Sequence, residues 1–214
     1  MAGKKTLVLV RHGSLDEQYD GCYIGSSDLP LSCEGIREAE ALGSFLKSRD
    51  IDSIYASPLL RARQTVEKVS PALPDIPLVY EDLLREIDFG AWEGLTFAQI
   101  CKNDPEGAGR WADYDDEFTF PGGETLGNFH DRIRRIKQML LDSEHENILL
   151  VSHGGVILNL ICNILDIGSR KALSMKVDRG SVSTLSLFPN GLGILNSLNF
   201  KPVSETHGKI IGST

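Results

Sequence analysis

The sequence predicts an α/β domain with a largely parallel sheet, helices on both faces and an antiparallel addition. Three observations carry this. Two short apolar runs, Thr6–Val10 and Ile148–Val151, end in polar turns at Arg11-His12-Gly13 and Ser152-His153-Gly154-Gly155. Uninterrupted runs of this kind belong to strands covered on both faces. Helix-patterned segments separate the strand candidates, which is the rhythm of βαβ units. Near the end, Val182–Phe188 and Leu192–Leu198 flank Pro189-Asn190-Gly191, a hairpin signal.

Each element has a local reason. Thr6–Val10 is rich in β-branched residues and stops where Gly13 allows a tight turn. Ser32 to Arg49 reads as a helix: Ser32 is the N-cap, and Ile36, Ala39, Leu42, Phe45 and Leu46 recur at helical spacing. Asp52–Ala56 is a second strand. Pro58 then opens a helix to about Val69, using proline's preference for a first turn. After Ile148–Val151 an apolar helix runs from about Val156 to Leu165. The stretch from about 98 to 124 breaks the rhythm and is expected to cross over the top of the sheet as a cap insertion. It holds Asp104-Pro105-Glu106-Gly107, a set of acids and aromatics, and Pro121-Gly122-Gly123. With 214 residues the chain has ample length for one core and is short for two full domains, so 1–214 is read as one domain.

Composition narrows the function. Thirty acids face 22 bases, a formal charge of −8, with no dense Lys/Arg run. That disfavours duplex nucleic acid and polybasic membrane contacts. No apolar run approaches the roughly 20 residues of a membrane helix. Lys4-Lys5 before Thr6–Val10 mimics a signal peptide, but the run is too short for one, so a cytoplasmic location is expected. The four cysteines, Cys22, Cys33, Cys101 and Cys162, form no C-x-x-C pair, which leaves zinc and redox motifs unsupported. Reduced thiols are expected, with Cys162 in the core.

Chemistry gathers at the strand ends. Ligands of open parallel sheets bind outside the carboxyl ends of the strands. Arg11 and His12 follow one strand, His153 follows another, and Arg61 lies just inside the helix after a third. Two arginines and two histidines make an anion site, because guanidinium forks match phosphate oxygens. A neutral imidazole can attack phosphorus, and neighbouring arginines disfavour its protonation. A carboxyl group such as Glu86, in Arg85-Glu86-Ile87-Asp88, can protonate a leaving alkoxide and then activate water. Taken singly, these residues also have plainer readings. Arg-His-Gly can be a turn, His153 a bonded interior histidine, Arg61 a solvated helix residue, and Glu86 a cap or the partner of Arg85.

Taken in order, the motifs resemble the histidine phosphatase, or phosphoglycerate mutase-like, superfamily. The resemblance rests on Leu9-Val10-Arg11-His12-Gly13, on Ser57-Pro58-Leu59-Leu60-Arg61-Ala62-Arg63-Gln64-Thr65, on Arg85 to Gly94, and on Val151-Ser152-His153-Gly154-Gly155. It implies a three-layer α/β/α sandwich and a phosphomonoester hydrolase without metal or organic cofactor. It makes His12 the phosphorylated nucleophile and Glu86 the proton donor, with Arg11, Arg61, His153 and Gly154 around the phosphoryl group. The family often continues Arg-His-Gly with Glu-Thr or Glu-Ser and then an Asn that contacts phosphate. Here Ser14-Leu15-Asp16-Glu17-Gln18 follows, and Gln18 is the candidate replacement donor. His130, His145 and His207 match no family motif and are expected to be solvated.

Within the family, three segments resemble the α-ribazole phosphatases of cobalamin nucleotide-loop assembly: Tyr23 to Leu31, Phe120 to Glu124 ahead of Phe129 and Arg132, and Val177 to Ser181. Small bacterial phosphatases share the first two, and only the third leans towards this subgroup. The expected partner is therefore a small phosphomonoester, with a homodimer through the final hairpin as a further option. Trp111, Tyr114, Phe118 and Phe120 either pack on an apolar leaving group or anchor the long segment to the core. Asp113, Asp115, Asp116 and Glu117, if they face the pocket, repel polyanions. The alternatives are a broad-specificity phosphatase, a cofactor-dependent phosphoglycerate mutase, and a non-catalytic phosphate-binding module. A mutase needs basic residues after the Glu86 motif, where this chain is acidic. A binding module is usually marked by loss of the nucleophile or acid, and both are present here.

Overall fold

The structure, a computed structural model, describes residues 3–203, so His207 lies outside the described residues. In chain order the elements are β1 (Lys5–Arg11), α1 (Cys33–Leu46), β2 (Ser53–Ala56), α2 (Leu60–Val69), β3 (Leu78–Tyr80), α3 (Phe97–Asn103), α4 (Pro105–Asp113), α5 (Leu126–Asp142), β4 (Asn147–Ser152), α6 (Gly154–Ile164), β5 (Val182–Leu187) and β6 (Gly193–Phe200).

Alternation along the central strands explains the layers. Leu7 and Leu9 of β1 face one side with Ile148 and Leu150 of β4, while Val8 and Val10 face the other with Leu149 and Val151. Both sides are apolar, so each needs a covering of helices. Helices α1 and α2 cover the valine side through Leu42, Leu46, Ala62, Val66 and Val69. Helices α5 and α6 cover the leucine side through Ile133, Ile136, Leu140, Ile157, Leu160 and Ile161. The result is a three-layer sandwich around a six-stranded sheet of order β3-β2-β4-β1-β5-β6. β1 to β4 run parallel, β5 is antiparallel to β1, and β6 is antiparallel to β5. This topology delivers the carboxyl ends of β1, β2 and β4, and the start of β5, to one edge. No helix among the described residues is long and apolar enough to cross a membrane.

Several expectations need correction. Helix α2 begins at Leu60, two residues after Pro58, because Leu59 is extended and the Leu60 N–H is capped by Asp28 Oδ1 at 2.6 Å. Helix α6 begins at Gly154 rather than near Val156. Its first turn is held by a non-local cap, Gly155 N–H to Glu86 Oε2 at 3.0 Å. Within 98–124 the strand–helix rhythm breaks as expected, since no strand of the sheet falls there, but the segment is helical rather than irregular. Asp104-Pro105 starts α4, with Asp104 accepting from Gly107 N–H at 2.9 Å and proline at the first turn. Phe118 and Phe120 are buried in the leucine-side core, as is Tyr114, and Trp111 packs against it. The anchoring reading of these aromatics therefore holds. His130 is buried rather than solvated: its Nδ1 lies 2.6 Å from Asp116 Oδ1 and its ring packs on Tyr114. Cys162 is buried as expected, and burial pushes its thiol up to about 11.

Candidate active site

His12 follows β1, and its N–H bonds to Ser152 O of β4 at 3.0 Å. Its Nδ1 lies 2.8 Å from Gly13 O. A carbonyl only accepts, so Nδ1 carries the proton and Nε2 keeps its lone pair. Burial first, then the charges of Arg61 and Arg11, hold this imidazole well below the ordinary value of 6.5. His12 is therefore neutral near pH 7, with a ring nitrogen that has no partner among the described residues.

His153 sits beside it, ring centroids 5.1 Å apart. Its Nδ1 accepts from Arg61 Nε at 3.2 Å, so Nε2–H donates to Ser57 Oγ at 2.7 Å. Burial, then Arg61, also hold His153 well below 6.5. Arg61 is fully buried, and its Nη1 and Nη2 donate to Ser27 O and Gly25 O at 2.7 and 2.8 Å. Each of these nitrogens uses one N–H there and retains another. Burial brings the Arg61 guanidinium down to about 10, which still leaves it charged at neutral pH.

Arg11 donates from Nη1 to Val177 O at 2.8 Å, while its Nε is buried without a partner among the described residues. An orphaned cationic donor beside the site fits an anion. Glu86 Oε2 accepts from Gly155 N–H, and Oε1 accepts from its neighbour Ile87 N–H at 3.1 Å. Two glycines permit this crowding. A Cβ on Gly154 would lie 3.2 Å from Arg11 Cζ, and one on Gly155 only 2.5 Å from Glu86 Oε1.

Arg11, His12, Glu86 and Gly154 line a cleft of about 760 Å3. Tyr23, Ile24, Phe89 and Leu158 give it an apolar wall, and Lys176, Asp178, Arg179 and Asp20 a charged rim. Arg61 and His153 are fully buried next to His12. Gln18 is exposed on a 3-10 turn and is not among the residues lining the cleft. Asp113, Asp115, Asp116 and Glu117 do not line it either.

Residues 7–199 match the profile of the histidine phosphatase superfamily, branch 1. The chain belongs to this family. It is 31% identical over 185 residues to an adenosylcobalamin/alpha-ribazole phosphatase of Escherichia coli, covering 85% of this chain and 89% of that protein. It is 34% identical over 195 residues to a bifunctional protein of Mycobacterium tuberculosis, covering 90% of this chain but 53% of that protein. The chain thus spans about half the length of the mycobacterial relative. Among solved structures, the alpha-ribazole phosphatase of Shigella flexneri superposes with a TM-score of 0.81 at 28% identity, covering 93% of this chain and 98% of that one.

Much of what positions the groups of the site in this member of the histidine phosphatase superfamily was not read from the sequence. Glu93 accepts from Gly25 N–H, Ser26 N–H and Ser27 Oγ, shaping the loop whose carbonyls hold Arg61. Arg132 pairs with Glu124 at 2.9 Å and donates to Leu83 O and Arg85 O, fixing the backbone that leads into Glu86. Thr65 Oγ1 accepts from Gly13 N–H at 3.2 Å, and Glu38 Oε2 accepts from Ser14 N–H at 2.7 Å. Ser57 and Arg179 were also missed. Glu93, Glu124, Arg132 and Arg179 stand inside segments quoted for the resemblance, but their partners lie on other elements.

Proposed function

We propose that the chain is a phosphomonoester hydrolase acting through a phosphohistidine on His12. The observation that carries this is the free Nε2 of a neutral His12, in the same cleft as Arg11, whose buried Nε has no partner among the described residues. Nε2 attacks phosphorus, the ester P–O bond breaks, and Glu86 gives its proton to the departing oxygen. The phosphorylated ring is cationic, and Gly13 O supports it through Nδ1–H. Arg11 and Arg61 offset the phosphoryl charge, and His153, held by Ser57, completes that wall. The Glu86 carboxylate then takes a proton from water, whose oxygen attacks phosphorus as the P–N bond breaks. Phosphate leaves, His12 regains its lone pair, and Glu86 is again protonated. The helix N-terminus at Gly154 favours the phosphoryl dianion throughout.

The proposed substrate is α-ribazole 5′-phosphate. Relatives named alpha-ribazole phosphatase support it in sequence and in structure. The apolar wall of Tyr23, Ile24, Phe89 and Leu158 suits an aromatic leaving group. The test is a panel of α-ribazole 5′-phosphate, phosphoserine, 3-phosphoglycerate, simple nucleotides and p-nitrophenyl phosphate, assayed with chelator. A strong preference for α-ribazole 5′-phosphate, abolished in His12→Ala and unaffected by chelator, is expected. Even, His12-dependent turnover across the panel retains the hydrolase and removes this substrate. Tight phosphate binding without turnover of any ester overturns the hydrolase and leaves a binding module.

A further inference from the structure

Two features remain unabsorbed: the altered stretch after Arg-His-Gly, and the Val177–Ser181 segment. They meet at one corner of the cleft. Gly180 N–H donates to His12 O at 2.9 Å, so the residue before it is anchored beside the nucleophile. That residue is Arg179, which lines the same cleft as Arg11 and His12. Its side chain is only 15% exposed. Nη1 donates to Asp20 Oδ1 at 2.8 Å and Nη2 to Tyr19 O at 3.2 Å. Arg179 therefore reaches over the turn that carries Gln18, while Gln18 itself stays exposed. Its Nε–H and one N–H on each terminal nitrogen are left for another acceptor. Asp20 is 71% exposed, so the pair is readily exchanged for a stronger acceptor.

We propose that Arg179 is a third phosphate-binding arginine, supplying at this corner the donor that Gln18 does not. A dianionic phosphoryl group on His12 competes with Asp20 for its fork, and bidentate geometry favours the phosphate. The charge of Arg179 is also felt by both Arg11 and His12, so its guanidinium is near the reacting group. The proposal rests on the reading of His12 as the phosphoryl acceptor, but phosphate binding is measurable without turnover.

Calorimetric titration with inorganic phosphate separates the cases. Arg179→Gln should weaken phosphate at least about tenfold, the loss expected for a charged hydrogen bond. Asp20→Asn should leave binding unchanged or tighten it, because Arg179 is released. The double variant should bind like Arg179→Gln alone, and Gln18→Ala like the wild type. Equal weakening by Arg179→Gln and Asp20→Asn would mean that the pair only clamps the loop, and would overturn the proposal. Weakening by Gln18→Ala alone would overturn it too. Should Arg179→Gln fail to fold, the sign of the Asp20→Asn effect decides, since a clamp predicts a loss. If the wild type does not bind phosphate, the proposal falls, whereas the hydrolase reading stands or falls separately on His12-dependent turnover.

Discussion

His12 and His153 are buried and neutral, and that state has a thermodynamic signature. Burial and then Arg61 hold both below their ordinary value of 6.5. In the unfolded chain each takes up a proton near pH 6.5. Below that value, and above the lower folded value, the unfolded state binds more protons. Stability is therefore fully present above the unfolded pKa and falls as the pH drops through it. In phosphate-free buffer, the urea midpoint should decline between about pH 7 and about pH 5.5, with a shallower decline in His153→Gln. Equal slopes in the two proteins would show that His153 is not the group responsible. The main site residues were legible because each sits next to a strand end or within a local motif. His130 was misread because its partners, Asp116 and Tyr114, come from the segment before α5. Ser57 was passed over because its role appears only when β2 and β4 lie side by side.

At the level of elements, α6 is both a core helix and the support of Glu86, the proposed proton donor. Its Gly155 sits where a Cβ would strike Glu86 Oε1 at 2.5 Å, the far end of a flexible side chain. Gly155→Ala should thus fold, with the gain in helix propensity and the loss of the Glu86 cap offsetting each other to within about 1 kcal/mol. Displacing the Glu86 carboxylate by about an ångström should meanwhile lower kcat on the order of 100-fold. A folded protein of near-unchanged stability but slow turnover is expected, read from thermal unfolding and steady-state kinetics. Unchanged kcat would mean that Glu86 does not need its Gly155 contact. Helices with a capping residue and an apolar stripe, such as α1, were predictable. Strand β3 was not, because it is three exposed residues with no alternating pattern. The starts of α2 and α6 shifted because their capping groups, Asp28 and Glu86, come from elsewhere in the chain.

For the whole molecule, the strand order matters more than any one contact. The parallel sheet with an antiparallel end was readable, because the apolar runs and the hairpin signal are local. The order was not, because nothing in the runs says that β4 inserts between β1 and β2. That insertion should make the proposed enzyme divisible. A cut near Glu144, an exposed residue between α5 and β4, leaves Arg11, His12, Arg61 and Glu86 on one piece and His153, Gly154 and Arg179 on the other. The first piece lacks the strand that joins β1 to β2, and the second lacks His12, the proposed nucleophile. Each piece alone should be silent, and mixing them should restore turnover at a rate set by their concentrations. Activity in the first piece alone would show that β4 is dispensable. Used in this way, the chain is a two-part reporter whose signal requires one fragment to thread its strand into the middle of the other's sheet.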